Sequence, residues 1–366
     1  MKINDIETFI VNAPLKKPFK TALRTVTNAE SVIVNITAGD QIGWGEAPPT
    51  LAITGESIES VKAAITNAIA PKLIGLDLSS SGYIFDVLHT SLVGNTSAKA
   101  AVDMAIYDLL AKKSDMPLYQ FLGGYRDQLE TDYTVSVNSP EEMGDDAVQY
   151  IDEGFSILKV KVGKDTIHRD IERIITVQNR TNNKAIIRLD ANQGWTAKEA
   201  IYAIRKMEEE GLQLDLVEQP VHASDIEGLK RVTDSVSTPI MADESVFSPH
   251  DALKVIMSRA ADLINIKLMK AGGIHQALKI NAIAESAGIE CMVGSMIESK
   301  VGITAAAHFA ASQRNITRYD FDAPLMFKEE NVEGGVTYNK SMITFNSQRG
   351  LGIHSVKQGG LEIGIN

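Results

Sequence analysis

A single cysteine, Cys291, excludes an internal disulfide framework, and its place in the apolar run IECMVG reads as that of a small core residue. Basic residues are in the minority, 36 Lys+Arg against 47 Asp+Glu for a net charge of −11, and no stretch concentrates them. The electrostatic footprint of a nucleic-acid binder is therefore missing. No uncharged run approaches the roughly 18 residues that a membrane span needs. The opening MKINDIETFI alternates polar and apolar residues, where a signal peptide would carry an unbroken apolar stretch. The expectation is a cytoplasmic protein with neither a membrane nor a nucleic-acid partner. The histidines, at 89, 168, 222, 250, 275, 308 and 354, show no paired ligand spacing, which disfavours zinc. What is present is 44% apolar residues in a chain of 366, ample for the core of one large domain with a smaller companion.

From about residue 131 one pattern repeats: a short β-branched strand, a turn, then an amphipathic helix opened by a capping residue. The strand candidates are TDYTVSV, FSILKVK, AIIRLD, LDLVE, PIMAD, LINIK, GIECMV and ITRYD, with helical spacing between them as in TAKEAIYAIRKMEEEG. Ser139 with Glu142 and Thr196 with Glu199 have the spacing of capping boxes. High, continuous strand apolarity fits strands covered on both faces of a parallel sheet. Lys161, Asp190, Glu218, Asp243 and Lys267 each end a separate strand, at steps of 29, 28, 25 and 24 residues, and the series continues through Ser295 to Asp320. A closed barrel gathers such residues at the rim where its loops converge, whereas an open sheet strings them along an edge. The expected fold class is α/β, a modified TIM barrel of (β/α)7β form over 124–322.

Residues 1–123 read as an α+β capping domain, with strands INDIETFIV, ESVIVNIT and QIGWGEA and helices near 56–70, 80–90 and 97–113. Gly123-Gly124 marks the passage into the barrel. Two stretches, 14–29 and 47–55, look long and irregular, as lid loops do. The Gly-rich segment 323–366 shows no eighth helix and is expected to pack back on the capping domain.

Asp190, Glu218 and Asp243 place three carboxylates at neighbouring strand ends, a donor set that suits a hard divalent cation, Mg2+ above all. In Lys159-Val160-Lys161 the lysines share one side of a strand. Lys267, three units further on, faces Lys161 across the barrel mouth with the carboxylates between. A divalent cation and a second ammonium both disfavour a charged lysine, which makes it a usable base. Two bases on opposite sides of one carbon suggest proton removal on one face and return on the other, with inversion. A proton beside a carboxylate is a very weak acid, so the enediolate that forms needs electrostatic stabilisation.

The set Lys159-x-Lys161, Asp190-Ala191-Asn192, Glu218-Gln219-Pro220, Asp243-Glu244-Ser245 and Lys267 resembles the enolase superfamily in its muconate-lactonizing-enzyme subgroup, where a Lys or His base works with Mg2+. Runs such as FKTALRT, GWGEAPPT, LGGYRDQLETDYTVSVNSPEEM, VGSMIESKVGITAAAHFAAS and DFDAPL are similar to dipeptide epimerases that invert the second residue of L-Ala-D/L-Glu. The resemblance spans nearly the whole chain. It implies one Mg2+ per subunit on Asp190, Glu218 and Asp243, Lys161 and Lys267 as the acid/base pair, a small dipeptide substrate from cell-wall peptide turnover, and a homo-oligomer. Asp320 and Asp322, two apart on the last strand, suit the ammonium of a dipeptide, and Arg24 a side-chain carboxylate. Thr134, Lys159, Ser295 and Ile297 match positions that hold the dipeptide, Lys159 at its α-carboxylate; Met296 and Phe321, beside matched positions, are further expected contacts. Glu298 stays without a role, Trp44 and Trp195 read as packing residues, and Lys270-Ala271-Gly272-Gly273 as a turn before a helix. Four alternatives are a dipeptide epimerase of other specificity, a cycloisomerase, dehydratase or o-succinylbenzoate-synthase-type enzyme of the same superfamily, a metal-independent Schiff-base lysine in a barrel, and a non-catalytic peptide-binding protein that kept the pocket.

Overall fold

The chain was analysed as a computed structural model that describes residues 1–358 and 361–364. It opens with an antiparallel meander of Ile3–Lys20 (β1), Thr25–Ala38 (β2) and Gln41–Ala47 (β3). Residues 14–29, expected to be irregular, are instead a β-ribbon: β1 runs on to Lys20 and pairs with β2 as far as Lys20–Thr25, leaving only residues 21–24 as a loop. Pro14 and Pro18 break the strand pattern in the sequence, but the register shift between Pro14 and Phe19 accommodates them on an edge strand. The stretch 47–55 is irregular, as expected.

A helical run follows, Ile58–Ala63, a wide π-type turn at Ala64–Ile69 and Ala70–Leu73, started by a capping box between Ser57 and Ser60. Helices Ser81–Thr90 and Thr96–Lys113 complete the first unit. Thr96–Lys113 is buried on every side from Ser97 to Lys112, which is why its sequence shows no amphipathic stripe. It presses on β3 so closely that a Cβ at Gly45 would stand 1.8 Å from the Ala101 carbonyl oxygen, and one at Gly43 2.2 Å from that of Ala105.

After the short strand Gln128–Glu130 (β4) come the eight parallel strands: Tyr133–Val135 (β5), Ile157–Lys161 (β6), Ile186–Asp190 (β7), Leu214–Glu218 (β8), Ile240–Ala242 (β9), Leu263–Ile266 (β10), Glu290–Val293 (β11) and Ile316–Tyr319 (β12). Each falls inside one of the eight expected segments. They form one curled sheet in chain order, with helices packed between successive strands. The two edge strands meet: Asp132 N–H reaches the Tyr319 carbonyl at 3.4 Å, Thr131 Oγ1 accepts from Phe321 N–H at 2.8 Å and Asp322 Oδ2 from Thr134 N–H at 2.6 Å. The fold is thus a (β/α)7β barrel with an N-terminal α+β domain. The capping box at Thr196 and Glu199 is complete, whereas at Ser139 only the half from Glu142 N–H to the hydroxyl forms.

Beyond the barrel lie Val332–Gly334 (β13), Thr337–Asn339 (β14), Met342–Thr344 (β15), Ile353–Gln358 (β16) and Leu361–Gly364 (β17). β15 pairs with β4, while Leu15 bridges Phe327, Lys328 N–H binds the Pro14 carbonyl at 2.9 Å and Leu118 N–H that of Gly350 at 2.8 Å. This tail touches both units; residues 359–360 and 365–366 of it lie outside the described residues. No helix among the described residues is long and apolar enough to cross a membrane.

Candidate active site

Strand register builds the site. Lys161 on β6 is opposite Asp190 on β7, and Asp190 is opposite Glu218 on β8, so the polar residues that end these strands stand side by side at one rim. Asp243 and Lys267 directly follow β9 and β10. All five are buried, as is Lys159. Burial on this scale is tolerable only because charges are paired. Lys161 Nζ is 2.5 Å from Asp190, Lys267 Nζ 2.8 Å from Asp243 and 4.0 Å from Glu218, and Lys159 reaches Glu218 at 2.8 Å, Asp190 at 3.1 Å and Asp320 at 2.7 Å.

The loops after these strands hold strained backbone. Asn192, Gln193 and Gln219 have φ of 42°, 68° and 36°, left-handed values that non-glycine residues keep only where surroundings enforce them. Gln219 Oε1 accepts from Asp243 N–H at 2.8 Å, tying the end of β8 to that of β9, and Asn265 Nδ2 donates to Glu218 at 2.7 Å. Lys270, read from the sequence as part of a simple turn, is fully buried: its ammonium lies 2.6 Å from Asp243 Oδ1 and donates to the carbonyls of Asp243, Val246 and Asn265. No local pattern marks it, because its acidic partner and two of its three carbonyls come from the loop after β9.

Charge in the rim is unevenly satisfied. Burial pushes Asp190 up, but the ammoniums of Lys161 and Lys159 outweigh it and hold the carboxyl at about 2. Burial and Asp190 push Glu218 up to about 7, and burial with Asp243 pushes Glu244 up to about 8. Burial and the Lys159 ammonium work against the charge on Lys267, yet Asp243 and Glu218 hold its ammonium above the usual lysine range. Among the described residues no three His, Cys, Asp or Glu side chains are gathered round one point as metal ligands would be; the carboxylates face ammoniums instead. The donor chemistry nevertheless fits a hard cation: Asp190, Glu218 and Asp243 offer only oxygen, their surroundings carry more carboxylate than the lysines neutralise, and the neighbouring Glu244 Oε2 is buried with no hydrogen-bond partner among the described residues.

A compact cavity of about 60 Å³ opens over this rim. Its wall brings together Arg24, Thr134, Lys161, Lys267, Ser295, Met296, Ile297, Asp320 and Asp322, nine of the expected residues, contributed by the β1–β2 ribbon and by five barrel strands, β5, β6, β10, β11 and β12, or the loops that follow them. Asp190, Glu218 and Asp243 do not line it and lie beneath, nor does Lys159, which its three carboxylates enclose. Phe321 does not line it either. Set between two inward carboxylates it points the other way, and its backbone is already engaged, N–H to Thr131 and carbonyl to the Tyr338 hydroxyl at 2.6 Å. Asp322 is pushed up to about 7 by burial and by Asp320. Arg24 stands out because its guanidinium has no acidic partner among the described residues, while burial lowers its pKa. Phe19, Ala52, Ile53, Asn192 and Glu244 also line the cavity and were not among the expected contacts; Asn192 and Glu244 stood in the quoted motifs, which is the signal that could have found them. Glu298 is buried outside the cavity wall, accepting from Met296 N–H at 3.0 Å.

The chain matches the family described as mandelate racemase / muconate lactonizing enzyme, N-terminal domain, over residues 5–123, and the enolase C-terminal domain-like family over residues 142–358. It is 61% identical to the L-Ala-D/L-Glu epimerase of Bacillus subtilis (strain 168), covering 96% of this chain and 97% of that protein. A substrate-liganded structure of the Bacillus subtilis enzyme superposes with a TM-score of 0.96, over 96% of this chain and 99% of that one. A dipeptide epimerase from Enterococcus faecalis V583, solved with Mg and the dipeptide L-Leu-L-Tyr, is 44% identical with a TM-score of 0.93, over 96% of this chain and 99% of that one.

Proposed function

The chain belongs to the enolase superfamily, in its mandelate racemase / muconate lactonizing enzyme branch, and is an isomerase of the epimerase and racemase class; from that premise we propose that it epimerises L-Ala-D/L-Glu dipeptides at the α-carbon of the second residue. Lys161 and Lys267 are the two proton carriers. The observation that carries this reading is that both lysines line one small cavity from strands on either side of the buried carboxylates, with a guanidinium that has no acidic partner among the described residues and two aspartates on the same wall. One lysine takes the α-proton and the other returns a proton on the opposite face, so configuration inverts. The negative charge that develops meanwhile spreads over the substrate carboxylate as an enediolate. Mg2+, held by Asp190, Glu218 and Asp243, supplies when bound the positive charge that makes this bearable.

The remaining residues position the dipeptide. Arg24 takes the glutamyl side-chain carboxylate as a paired donor. Asp320 and Asp322 receive the substrate ammonium, which also offsets the mutual repulsion that raises Asp322. Thr134, Ser295, Met296 and Ile297 wall the peptide between them, and Lys159 acts from below, as a buried cation beneath the α-carboxylate. The Mg-complexed relative supports the metal and the L-Ala-D/L-Glu relative the substrate, and a place in cell-wall peptide turnover is part of the same proposal. The test is L-Ala-L-Glu with Mg2+ in D2O, followed by NMR. L-Ala-D-Glu with deuterium at the glutamyl α-carbon should accumulate, and chelation by EDTA should stop it. Lys161→Ala and Lys267→Ala should each abolish epimerisation, with a loss of at least about 10²; full epimerisation by either variant would sink the two-base assignment.

A further inference from the structure

Helix Ile274–Ser286 starts without a cap of its own. Its N-cap position is Gly273, at φ 114°, which has no side chain to accept from the free amides of the first turn. The acceptor comes from the other domain. Asp103, wholly buried on helix Thr96–Lys113, takes the Ile274 N–H at 2.6 Å and the His275 N–H at 3.3 Å. The approach is so close that a Cβ on Gly273 would stand 2.3 Å from Asp103 Cγ. One imidazole stands against the carboxylate, with His89 Nε2 3.5 Å from Oδ2, and the His275 ring, stacked on Phe85 at 4.5 Å, lies 5.6 Å from the His89 ring. A buried carboxylate is costly, and this one does not line the cavity.

The segment that Asp103 pins is the one that carries Lys267. The Lys267 carbonyl accepts from Lys270 and Ala271 N–H, both at 3.0 Å, and the Leu268 carbonyl from Gly272 and Gly273 N–H, both at 2.9 Å. Residues 267–273 are thus one hydrogen-bonded hook, with the lysine at one end, the cross-domain cap at the other, and Lys270 in the middle holding Asp243. Lys161, on β6, has no such link to Asp103. We propose that Asp103 is a positioning residue for Lys267, through which the capping domain sets the place of one of the two proton carriers. This rests on the reading of Lys267 as a proton carrier.

The consequence is asymmetric, because each lysine serves one stereoisomer. With L-Ala-L-Glu and L-Ala-D-Glu supplied separately in D2O, initial α-proton exchange should fall about tenfold or more in Asp103→Ala for one diastereomer, since misplacement by about 1 Å can cost about 10². Exchange for the other should stay within about twofold. Asp103→Asn, which keeps one acceptor oxygen, should fall between and serves where the alanine variant does not fold. Amide hydrogen exchange at Ile274 and His275 should quicken in both variants. Ser57→Ala, which removes a cap elsewhere in the same domain, should lower thermal stability without changing the ratio of the two exchange rates. Equal losses for both diastereomers, or an unchanged ratio, would overturn the proposal and leave Asp103 a structural cap. Absence of α-exchange with either dipeptide in the unaltered enzyme, while the amides of Ile274 and His275 still respond to Asp103→Ala, would show that the proton-transfer reading had failed and not the cap.

Discussion

Replacing Arg24 by Met separates recognition of the second residue from everything else the site does. The tip of the β-ribbon is fixed by its own backbone: Thr21 Oγ1 accepts from the Leu23 and Arg24 amides at 3.1 and 3.2 Å, and the Arg24 carbonyl accepts from Thr21 N–H at 2.9 Å. Loss of the guanidinium therefore leaves the tip in place. The charge has no acidic partner among the described residues and is partly desolvated, so its removal gives up no stabilising pair, and thermal stability should stay level or rise slightly. Against substrate the balance reverses. A hydrogen bond to a charged group contributes roughly 1.5–3 kcal/mol, and a paired contact to the glutamyl carboxylate lies at the upper end, about 3 kcal/mol. That is about 10² in kcat/KM. L-Ala-L-Gln, of the same shape without the charge, is the comparison substrate. Arg24→Met should lower kcat/KM on L-Ala-L-Glu by about 10², change that on L-Ala-L-Gln by less than about threefold, and leave the Mg2+ requirement alone. Equal losses on the two dipeptides would refute the assignment, and a large drop in melting temperature would show that the guanidinium has a structural partner instead.

Lys270→Met removes one member of a buried ion pair while Asp243 stays, and should cost about 3–5 kcal/mol in denaturant titration; an unchanged midpoint would mean that the pair contributes nothing. Gly45→Ala puts a methyl 1.8 Å from a backbone oxygen of a helix buried on all sides, so the variant should lose at least about 3 kcal/mol or fail to fold, and native stability would contradict the close approach of β3. His308 is fully buried, accepts the Tyr119 N–H on Nδ1 at 2.9 Å, and burial lowers its pKa to about 3. The folded value lies below the unfolded one of about 6.5, so the stability this neutral ring contributes is complete above pH 6.5 and is lost as pH falls toward 3, at about 1.4 kcal/mol per unit. His308→Gln, which keeps an acceptor for Tyr119, should flatten the stability profile between pH 6.5 and 4, and an unaltered slope would place the acid sensitivity elsewhere.

The barrel was legible because its signals are local. Each strand is a short apolar run that ends in a polar residue, and parallel register then sets those residues side by side, as Lys161 against Asp190 and Asp190 against Glu218. Eight of the nine expected residues that meet in the cavity do so for the same reason, the spacing along the chain already encoding the spacing round the rim, and the ninth, Arg24, comes from the ribbon. The β-ribbon was missed because what stabilises it is not in its own segment. Two prolines interrupt its pattern, and its order comes from cross-strand pairing and from a bridge to Phe327, more than three hundred residues away. Phe321, expected as a contact from its place between Asp320 and Asp322, is off the cavity wall, with its backbone engaged by Thr131 and Tyr338.

The same division runs through the active site. Groups that face the cavity are local in the chain, whereas the groups that fix them are not. Asp103 acts on Ile274 across 171 residues, and Glu46, on β3, accepts from Ser299 N–H across 253. Both carboxylates lie in the capping domain and both satisfy amides at the start of barrel helices, so neither can be recognised before its partner is known. Glu46 takes the Ser299 and Gly302 amides, each at 2.8 Å, directly after the loop whose Ser295, Met296 and Ile297 wall the cavity. The capping domain therefore grips the barrel at two places that flank the site, one beyond Lys267 and one beyond the residues 295–297. Sequence reading assigned that domain only its loops over the mouth. The domain also holds the barrel itself, through two buried carboxylates that bind the starts of the helices following Lys267 and residues 295–297.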